Sequence, residues 1–291
     1  MILKDSELIL NSDGSIYHLS LFPEDISNTI ITVGDPDRVS CISKYFDTIE
    51  LSKQKREFKT VTGTYKGKRI TIISTGIGTD NIDIVLNELD ALVNIDFKTR
   101  TINKISKTLD IIRIGTSASI LKNIPINTFL LSELAIGFDN LLHFYKSKHI
   151  QKLELSKSLM KHMNWSLEKS DPYVVSSDKQ LANIFNSNLI KTGLTVTNPG
   201  FYGPQSRVLR LELEDTKLLS KLTSFSHHGI QITNLEMETA GIYGLAKLLG
   251  HRAVSINAIL ANRITGEFSE NPDKLVDDLI VYCLNKLTTK Q

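Results

Sequence analysis

Short runs of β-branched and apolar residues alternate along the chain with longer stretches in which apolar residues recur every three or four positions. The short runs are typical of buried strands, and the longer stretches are typical of amphipathic helices. The predicted strands are 29–34, 109–117 and 252–260, with a hairpin over 56–75 that turns at 65–68. The predicted helices are 35–46, 79–92, 237–250 and 271–287. This alternation indicates an α/β architecture.

Two helix ends carry local signals. Asp35 stands at the N-cap position before the first predicted helix and Pro36 at its first turn, where both residue types are favoured. Gly250 follows the last apolar position of the third predicted helix and is a typical stop. The segment 94–109 is polar and basic, and it predicts an exposed excursion.

Composition and charge narrow the function classes. The 291 residues are 41% hydrophobic and 23% charged, as in an ordinary globular protein. The 34 basic and 32 acidic residues are well mixed, which argues against a binder of nucleic acid or membrane surfaces. No apolar run approaches the ~20 residues of a membrane span. Cys41 and Cys283 have no CxxC partner, so we expect no zinc site or disulfide framework, and a cytoplasmic protein.

The segment VGDPDRV (33–39) joins a strand end to a helix start. Backbone N–H groups at Gly34 and the positive end of the helix dipole favour an anion there, and Arg38 adds a bidentate donor. An ordinary strand–turn–helix with a surface arginine is the alternative, because the segment has neither a P-loop lysine nor a GxGxxG motif.

Arg113 lies inside an apolar run, where a lone guanidinium needs a partner. Thr116 and Ser117 follow it and supply hydroxyl groups, and Arg56 begins a further strand. Together with Arg38, these residues predict a phosphate-binding cage, although each arginine taken separately is more often structural.

The segment GFYGPQSR (200–207) combines an aromatic pair, a Gly-Pro turn and two polar side chains. Gln205 and Arg207 are two positions apart, so in an extended segment they face the same way and can contact one planar ligand. Phe201 is placed to stack on that ligand. A polar loop without a ligand is the alternative.

Glu236 and Glu238 precede an apolar helix in NLEMETAG (234–241). Both carboxylates gain from the helix dipole if they are exposed at the helix start. A carboxylate that faces the core instead needs hydrogen bonds or a ligand. The segment by itself leaves both interpretations open.

In their order along the chain, these segments resemble the nucleoside phosphorylase family, and specifically its uridine phosphorylase branch. The matching segments are HLSL (18–21), VGDPDRV (33–39), REF (56–58), STGIG (74–78), IRIGT (112–116), GFYGPQSR (200–207), NLEMETAGIYGLA (234–246) and ILANR (259–263). The resemblance implies one α/β domain over 1–291. Its centre is a mixed, twisted and partly barrel-like sheet flanked by helices.

The resemblance also implies a role for each matching residue. The implied phosphate-binding residues are Gly34, Arg38, Arg113 and Thr116, joined by Arg56 of a neighbouring subunit. The implied ribose-binding residues are Glu236, Met237 and Glu238, joined by His18 of the neighbour. The implied base-binding residues are Ser117, Phe201, Gln205 and Arg207. Catalysis is assigned to Arg113, Gln205, Arg207 and Glu238.

The implied reaction is the reversible phosphorolysis of uridine, a pyrimidine nucleoside, to uracil and ribose 1-phosphate. Inorganic phosphate is the co-substrate, and neither an organic cofactor nor a firm metal site is expected. A homodimer or a trimer of dimers would share its active sites. A monovalent cation at the dimer interface would contact Glu57, Ile77 and Asn81.

Purine-cleaving relatives carry an aspartate near the end of the strand that corresponds to 252–260, whereas this chain has Ala261-Asn262-Arg263. This difference favours a pyrimidine substrate. The chain also departs from the family at Thr79-Asp80-Asn81, where glycine, proline and serine are usual, and at Ala118, where glycine is usual. Purine phosphorolysis, a hydrolytic nucleosidase and a non-catalytic nucleoside-binding paralogue therefore stay open as alternatives.

Overall fold

The structure is a computed structural model, and it describes residues 2–289. The strands are β1 (Thr29–Val33), β2 (Thr48–Lys55), β3 (Phe58–Tyr65), β4 (Lys68–Ser74), β5 (Ile95–Asp96), β6 (Thr101–Ile102), β7 (Asp110–Ser119), β8 (Phe129–Gly137), β9 (Tyr173–Ser176), β10 (Ile190–Thr197), β11 (Ser226–His227), β12 (Ile230–Glu236) and β13 (Arg252–Asn262). The helices are α1 (Pro36–Ser43), α2 (Thr79–Asn94), α3 (Leu153–Met163), α4 (Lys179–Ile184), α5 (Leu218–Ser224), α6 (Thr239–Leu248) and α7 (Pro272–Thr288). The predicted α/β class is confirmed.

Within residues 2–289, the large sheet has 11 strands and is mixed. Its strand order is β11-β12-β10-β8-β13-β7-β1-β4-β3-β2, with β9 beside β8. Because β12 also pairs with β7, the strands β7, β13, β8, β10 and β12 close into a ring. The sheet is thus a small barrel on one side and open on the other, which confirms the mixed, partly barrel-like sheet that the resemblance implies.

Both faces of the open part are covered by apolar side chains. Ile30 of β1 packs with residues of α2 and α6, whereas the next residue, Ile31, packs with residues of α1 and α7. All five residues of β1 are buried. A parallel strand that is covered on both faces needs side chains that can all be buried, and β1 meets this with a run of β-branched residues in which Thr29 and Thr32 stand among apolar ones.

Most predicted elements are present with small shifts at their ends. Asp35 caps α1 by accepting a hydrogen bond of 2.9 Å from the backbone N–H of Asp37. α1 ends at Ser43 rather than at 46, and α6 covers Thr239–Leu248 rather than 237–250. The hairpin of β3 and β4 has the predicted turn.

β2 is a strand that the pattern does not predict. Its sequence, TIELSKQK, is mostly polar, and its residues are exposed or half-buried. The strand lies at the edge of the sheet and pairs only with β3 among the described residues. Backbone pairing rather than an apolar face therefore makes this segment a strand.

The excursion 94–109 contains a two-stranded ribbon of β5 and β6, and most of it is exposed, as predicted. Arg100, between the two strands, donates hydrogen bonds to the backbone oxygens of Leu3 at 2.9 Å and Lys4 at 3.0 Å. The ribbon thus holds the N-terminal segment against the body of the protein.

The carboxyl ends of β1, β10 and β12 lead into Gly34, Asn198 and Met237. Parallel strands present their carboxyl ends at one edge of a sheet, and ligands of α/β proteins bind there. Within residues 2–289, no helix has both the length and the apolar character needed to cross a membrane.

Candidate active site

A cavity of 380 Å³ gathers most of the predicted site residues. The predicted residues that line it are Gly34, Arg38, Ile77, Arg113, Thr116, Ser117, Phe201, Gln205, Arg207, Glu236, Met237 and Glu238. They come from five separate segments of the chain, so only the tertiary fold brings them together.

Arg113 on β7 is buried, with 6% of its surface exposed. Its Nη2 donates to the Glu238 carboxylate and lies 3.2 Å from Oε2 of Glu236, and its Nη1 donates to Oδ1 of Asn257 at 2.9 Å. The prediction that this guanidinium needs partners is confirmed. Burial alone lowers its pKa, but the two carboxylates raise the pKa overall, so Arg113 stays cationic.

Glu238 is the N-cap residue of α6 and is buried, not exposed at the surface. Its Oε1 accepts a hydrogen bond of 2.8 Å from the backbone N–H of Gly78, and its Oε2 accepts from Arg113. Burial raises the pKa of Glu238, and the charge of Arg113 opposes that rise. The Glu238 carboxylate is thus held in place by two hydrogen bonds, and the positive charge of Arg113 partly compensates its negative charge.

Glu236 lines the cavity, and its carboxylate also faces the start of α6. Its carboxylate accepts hydrogen bonds from the backbone N–H groups of Glu238 at 2.9 Å and Thr239 at 3.0 Å, and from the Thr197 hydroxyl at 2.5 Å. These contacts hold the turn that carries Met237 and Glu238. The helix-dipole interpretation therefore applies to Glu236, which is nevertheless buried.

Arg38 reaches the cavity from α1, beside Gly34 and Thr116. Burial lowers the pKa of Arg38, and the positive charge of Arg113 lowers it further. Two guanidinium groups that repel each other in one cavity both gain from a bound anion. Gly34, Arg38, Arg113 and Thr116 together therefore make a site that suits phosphate.

The predicted base-binding residues Phe201, Gln205 and Arg207 contact one another in the cavity. Nη1 of Arg207 donates to Oε1 of Gln205 at 2.5 Å and to the backbone oxygen of Phe201 at 2.9 Å. The guanidinium carbon lies 3.8 Å from the centre of the Phe201 ring. Burial, and then the charge of Arg263, lower the pKa of Arg207 to about 10.

The predicted reason for this proximity is wrong. Gln205 and Arg207 do not lie on an extended segment, because Gly203–Gln205 is a 3₁₀ turn and Ser206 has a left-handed φ of 57°. The turn folds the chain back, so the two side chains meet by hydrogen bonding to each other rather than by sharing one face of a strand.

Arg263 supports the base-binding turn, a role that the sequence pattern did not predict. It donates hydrogen bonds to the backbone oxygens of Gln205 at 2.8 Å and Ser206 at 3.1 Å, and so ties the end of β13 to the turn. Its position in the ILANR segment, directly beyond a predicted buried strand, was the available signal.

Asn262 does not face the cavity, although its neighbour Ala261 does. Its amide donates to the backbone oxygens of Leu121 and Ile124 at 3.0 and 3.1 Å, and its Oδ1 accepts from Ile264 and Thr265. All of the polar groups of this side chain hold loops in place. Its carboxamide is therefore not placed to protonate a base.

Arg56 and His18 are absent from the lining of this cavity. Arg56 is exposed in the turn between β2 and β3. His18 lies in a turn. Its own backbone N–H donates to the Glu88 carboxylate, and Nδ1 of the His18 ring lies 2.6 Å from the same carboxylate. Both positions are compatible with the predicted contribution from a neighbouring subunit.

Glu57 and Asn81, predicted for a monovalent cation, come together at Gly76. A Cβ atom on Gly76 would lie 2.3 Å from Nδ2 of Asn81 and 3.1 Å from Cγ of Glu57. Ile77 is the next residue and is 69% exposed. A carboxylate, an amide and a nearby backbone carbonyl are groups that suit a hard cation.

The residues at which the chain departs from the family pattern do not disturb the cavity. Asp80 is exposed, and Asp83 accepts a hydrogen bond of 2.5 Å from the Tyr145 hydroxyl; neither lines the cavity. Ala118 does line it, and it lies in regular β7, paired with Leu235. Neither aspartate is therefore placed to repel an anion bound in the cavity.

A family model described as the phosphorylase superfamily matches residues 28–283 of the chain. The chain belongs to this superfamily. The match confirms the resemblance to the nucleoside phosphorylases and the prediction that the chain is an enzyme, a pentosyltransferase.

The relatives of the chain include a uridine phosphorylase of Thermococcus kodakarensis, 28% identical over 272 residues that cover 90% of this chain and 83% of that protein. They also include a DeoD-type purine nucleoside phosphorylase of Bacillus subtilis, 24% identical over 280 residues that cover 93% and 98%.

Solved structures agree on the fold. A Trypanosoma brucei nucleoside phosphorylase described as showing uridine phosphorylase activity superposes with a TM-score of 0.87 at 28% identity, over 98% of this chain and 100% of that chain. A uridine phosphorylase of Phytophthora capsici superposes with a TM-score of 0.71 at 22% identity over the whole of both chains, and this match shows the shared fold alone.

Proposed function

We propose that the protein catalyses the reversible phosphorolysis of uridine to uracil and ribose 1-phosphate. The observation that carries this proposal is one cavity that holds both a pair of anion-attracting arginines, Arg38 and Arg113, and the bonded Gln205–Arg207 pair. The first pair suits phosphate, and the second suits the carbonyl groups of a pyrimidine. The relatives named as uridine phosphorylases support the same substrate.

The base-binding pair stabilises the charge that develops when the glycosidic bond breaks. A phosphate oxygen forms the new bond to C1′ of the ribose, and the electron pair of the C1′–N1 bond leaves on uracil, which then takes a proton. Because Oε1 of Gln205 accepts from Arg207, the Gln205 Nε2 group is the part left to donate to a uracil carbonyl. Such donors act where charge appears in the transition state.

Glu238 is proposed to hold the ribose. Its carboxylate is anchored by Gly78 and Arg113, so hydroxyl groups that donate to it meet a fixed acceptor. Met237 lines the cavity beside it, and Glu236 supports both residues from behind. A ribose fixed in this way presents C1′ to the phosphate, which lowers the entropic barrier to attack.

The active site is proposed to be completed by a second copy of the chain, in a homodimer or a trimer of dimers. Arg56 would add a cation for phosphate, and His18 would reach the ribose 5′-hydroxyl. The turns that carry both residues lie outside the cavity of their own chain, which supports this assignment. A monovalent cation near Glu57, Ile77 and Asn81 is proposed as a structural group at the interface, and no organic cofactor is proposed.

A phosphate-dependent activity screen over a panel of nucleosides tests the function. We expect uracil release from uridine only when phosphate is present, and a loss of at least about 100-fold in kcat/KM in Arg113→Ala. Uracil released at the same rate without phosphate would identify a nucleosidase instead. Comparable rates on inosine would favour purine phosphorolysis, and uridine binding without any turnover would indicate a non-catalytic protein.

A further inference from the structure

Asn257 on β13 contacts the buried guanidinium that the proposed function assigns to phosphate. We propose that Asn257 is a positioning residue, which sets the affinity for phosphate by fixing one arm of Arg113. This inference rests on the proposed phosphate site but not on the identity of the nucleoside. Asn257 itself is completely buried, and it is not among the residues that line the cavity.

Strand register brings the two side chains together. β7 and β13 are parallel neighbours, and Asn257 is paired with Gly115, two residues beyond Arg113. A Cβ atom on Gly115 would lie 1.7 Å from Nη1 of Arg113 and 2.7 Å from Oδ1 of Asn257. Because Gly115 has no side chain, the space beside it is free for the Arg113 guanidinium and the Asn257 amide oxygen, which lie 2.9 Å apart there.

The orientation of the Asn257 amide is itself fixed. Its Nδ2 donates to the Ser255 hydroxyl at 3.3 Å, so its oxygen is the end that faces Arg113. Oγ of Ser255 also lies 2.9 Å from Oγ1 of Thr239, a residue of α6. Asn257, Ser255 and Thr239 are all fully buried, so this polar chain is shielded from water and holds one arrangement.

It matters that the Asn257 side chain is uncharged, because Arg113 already has two anionic partners. Glu236 and Glu238 contact Nη2, whereas Asn257 holds Nη1 without adding a third negative charge. A carboxylate in place of the amide would compete with phosphate for the same guanidinium. A residue without an acceptor would release Nη1, and the two glutamates would then draw the guanidinium away from the anion.

Titration calorimetry with inorganic phosphate, together with phosphorolysis kinetics, tests this role. We expect Asn257→Asp and Asn257→Ala to raise the Kd and KM for phosphate by about tenfold or more, because each alters a hydrogen bond to a charged group. The KM for uridine should rise less than the KM for phosphate, since Asn257 reaches the ribose-binding Glu238 only through Arg113 and has no hydrogen bond to the base-binding residues. Ser255→Ala should give a smaller rise in the same direction, because it frees the amide to rotate.

Asn94→Asp is the control for a damaged fold. Asn94 is a buried asparagine at the end of α2 that donates to Asp90 at 2.6 Å and does not line the cavity, so a carboxylate there lowers stability without touching phosphate. Equal rises in both KM values, or a phosphate Kd that is unchanged in all three variants, would overturn the proposal. So would a wild-type protein that neither binds nor uses phosphate. If wild type binds phosphate but leaves uridine intact, calorimetry still decides the role of Asn257 while the proposed function fails.

Discussion

At the scale of single residues, the site is a balance of buried charges. Two carboxylates, Glu236 and Glu238, share the guanidinium of Arg113 and are therefore only partly compensated. Burying an ionised group is costly unless its partners are complete. The raised pKa of Glu238, caused first by burial, records that cost. A site of this kind gives up stability for function.

Glu238→Gln should abolish phosphorolysis yet make the protein more resistant to heat. An acid whose pKa is raised in the folded state stabilises folding while it is protonated, and this contribution is lost as the pH rises above the unfolded value near 4.5. Glutamine does not titrate, so we expect the Tm of the variant to exceed that of wild type by about 2–4 °C at pH 8. This difference in Tm should shrink towards pH 5. Thermal unfolding over this pH range measures it, and a Tm advantage that grows on acidification would contradict the assignment.

Arg207→Lys tests the base-binding pair. Lysine keeps the charge but lacks the planar fork that contacts Gln205, the Phe201 backbone and the Phe201 ring together. We expect kcat/KM for uridine to fall by about 10²-fold, with the KM for phosphate little changed. Arg210→Lys, an exposed change on the same loop, is the matched control and should behave like wild type. Steady-state kinetics with each substrate varied separately provide the measurement.

At the scale of elements, strand ends and turns create the geometry that the reaction needs. α6 begins at the residue after Glu238, and the carboxylate of Glu236 holds the first backbone N–H groups of that helix. β13 continues to Asn262, and Arg263 directly beyond it holds the 3₁₀ turn that carries Gln205. Glu238 and Gln205 are thus each held in place by the end of a secondary-structure element.

Arg263→Ala should loosen the base-binding turn. The change removes two hydrogen bonds to the backbone oxygens of Gln205 and Ser206, which fix the turn. We expect the KM for uridine to rise by about tenfold, because net losses of such bonds to a charged donor are of that order. The KM for phosphate should stay constant. A parallel rise in both constants would show instead that Arg263 supports the whole cavity.

At the scale of the whole molecule, two residues of the predicted site stand apart. Arg56 and His18 lie outside the cavity that holds the others, so the proposed site needs a second copy of the chain. Closed symmetric dimers make such sharing reciprocal, because each subunit supplies to its partner what it receives.

Subunit mixing tests this sharing. Arg56→Ala and Arg113→Ala should each be inactive as pure proteins. After unfolding and refolding as an equal mixture, half of the dimers are mixed, and each of these has one intact site, so about a quarter of wild-type activity should return. A mixture that stays inactive, while wild type refolded in the same way recovers, would place both arginines in one subunit.

The local elements of this protein follow from its sequence. β1 is a run of β-branched, mostly apolar residues because both of its faces are covered, and α1 begins after Asp35 because an aspartate caps a helix. An arginine in an apolar strand, such as Arg113, must find partners, so its role could be predicted from the sequence, whereas the segment of Glu236 and Glu238 by itself left an exposed and a buried placement open. The edge strand β2 was not predictable in this way, because its side chains are polar and its stability comes from pairing with β3.

Which residues meet was decided only by the tertiary structure. Asn257 reaches Arg113 through the register of two strands that are separated by more than 130 positions in the chain, and no local pattern encodes that register. Gln205 and Arg207 meet through a 3₁₀ turn and a left-handed residue instead of the extended segment that their spacing suggested. Glu236 and Glu238 look alike in the sequence and both line the cavity, yet Glu236 binds the backbone at the start of α6 whereas Glu238 binds Gly78 and Arg113. Local sequence determines which groups must be satisfied, whereas long-range packing determines which partner satisfies each of them.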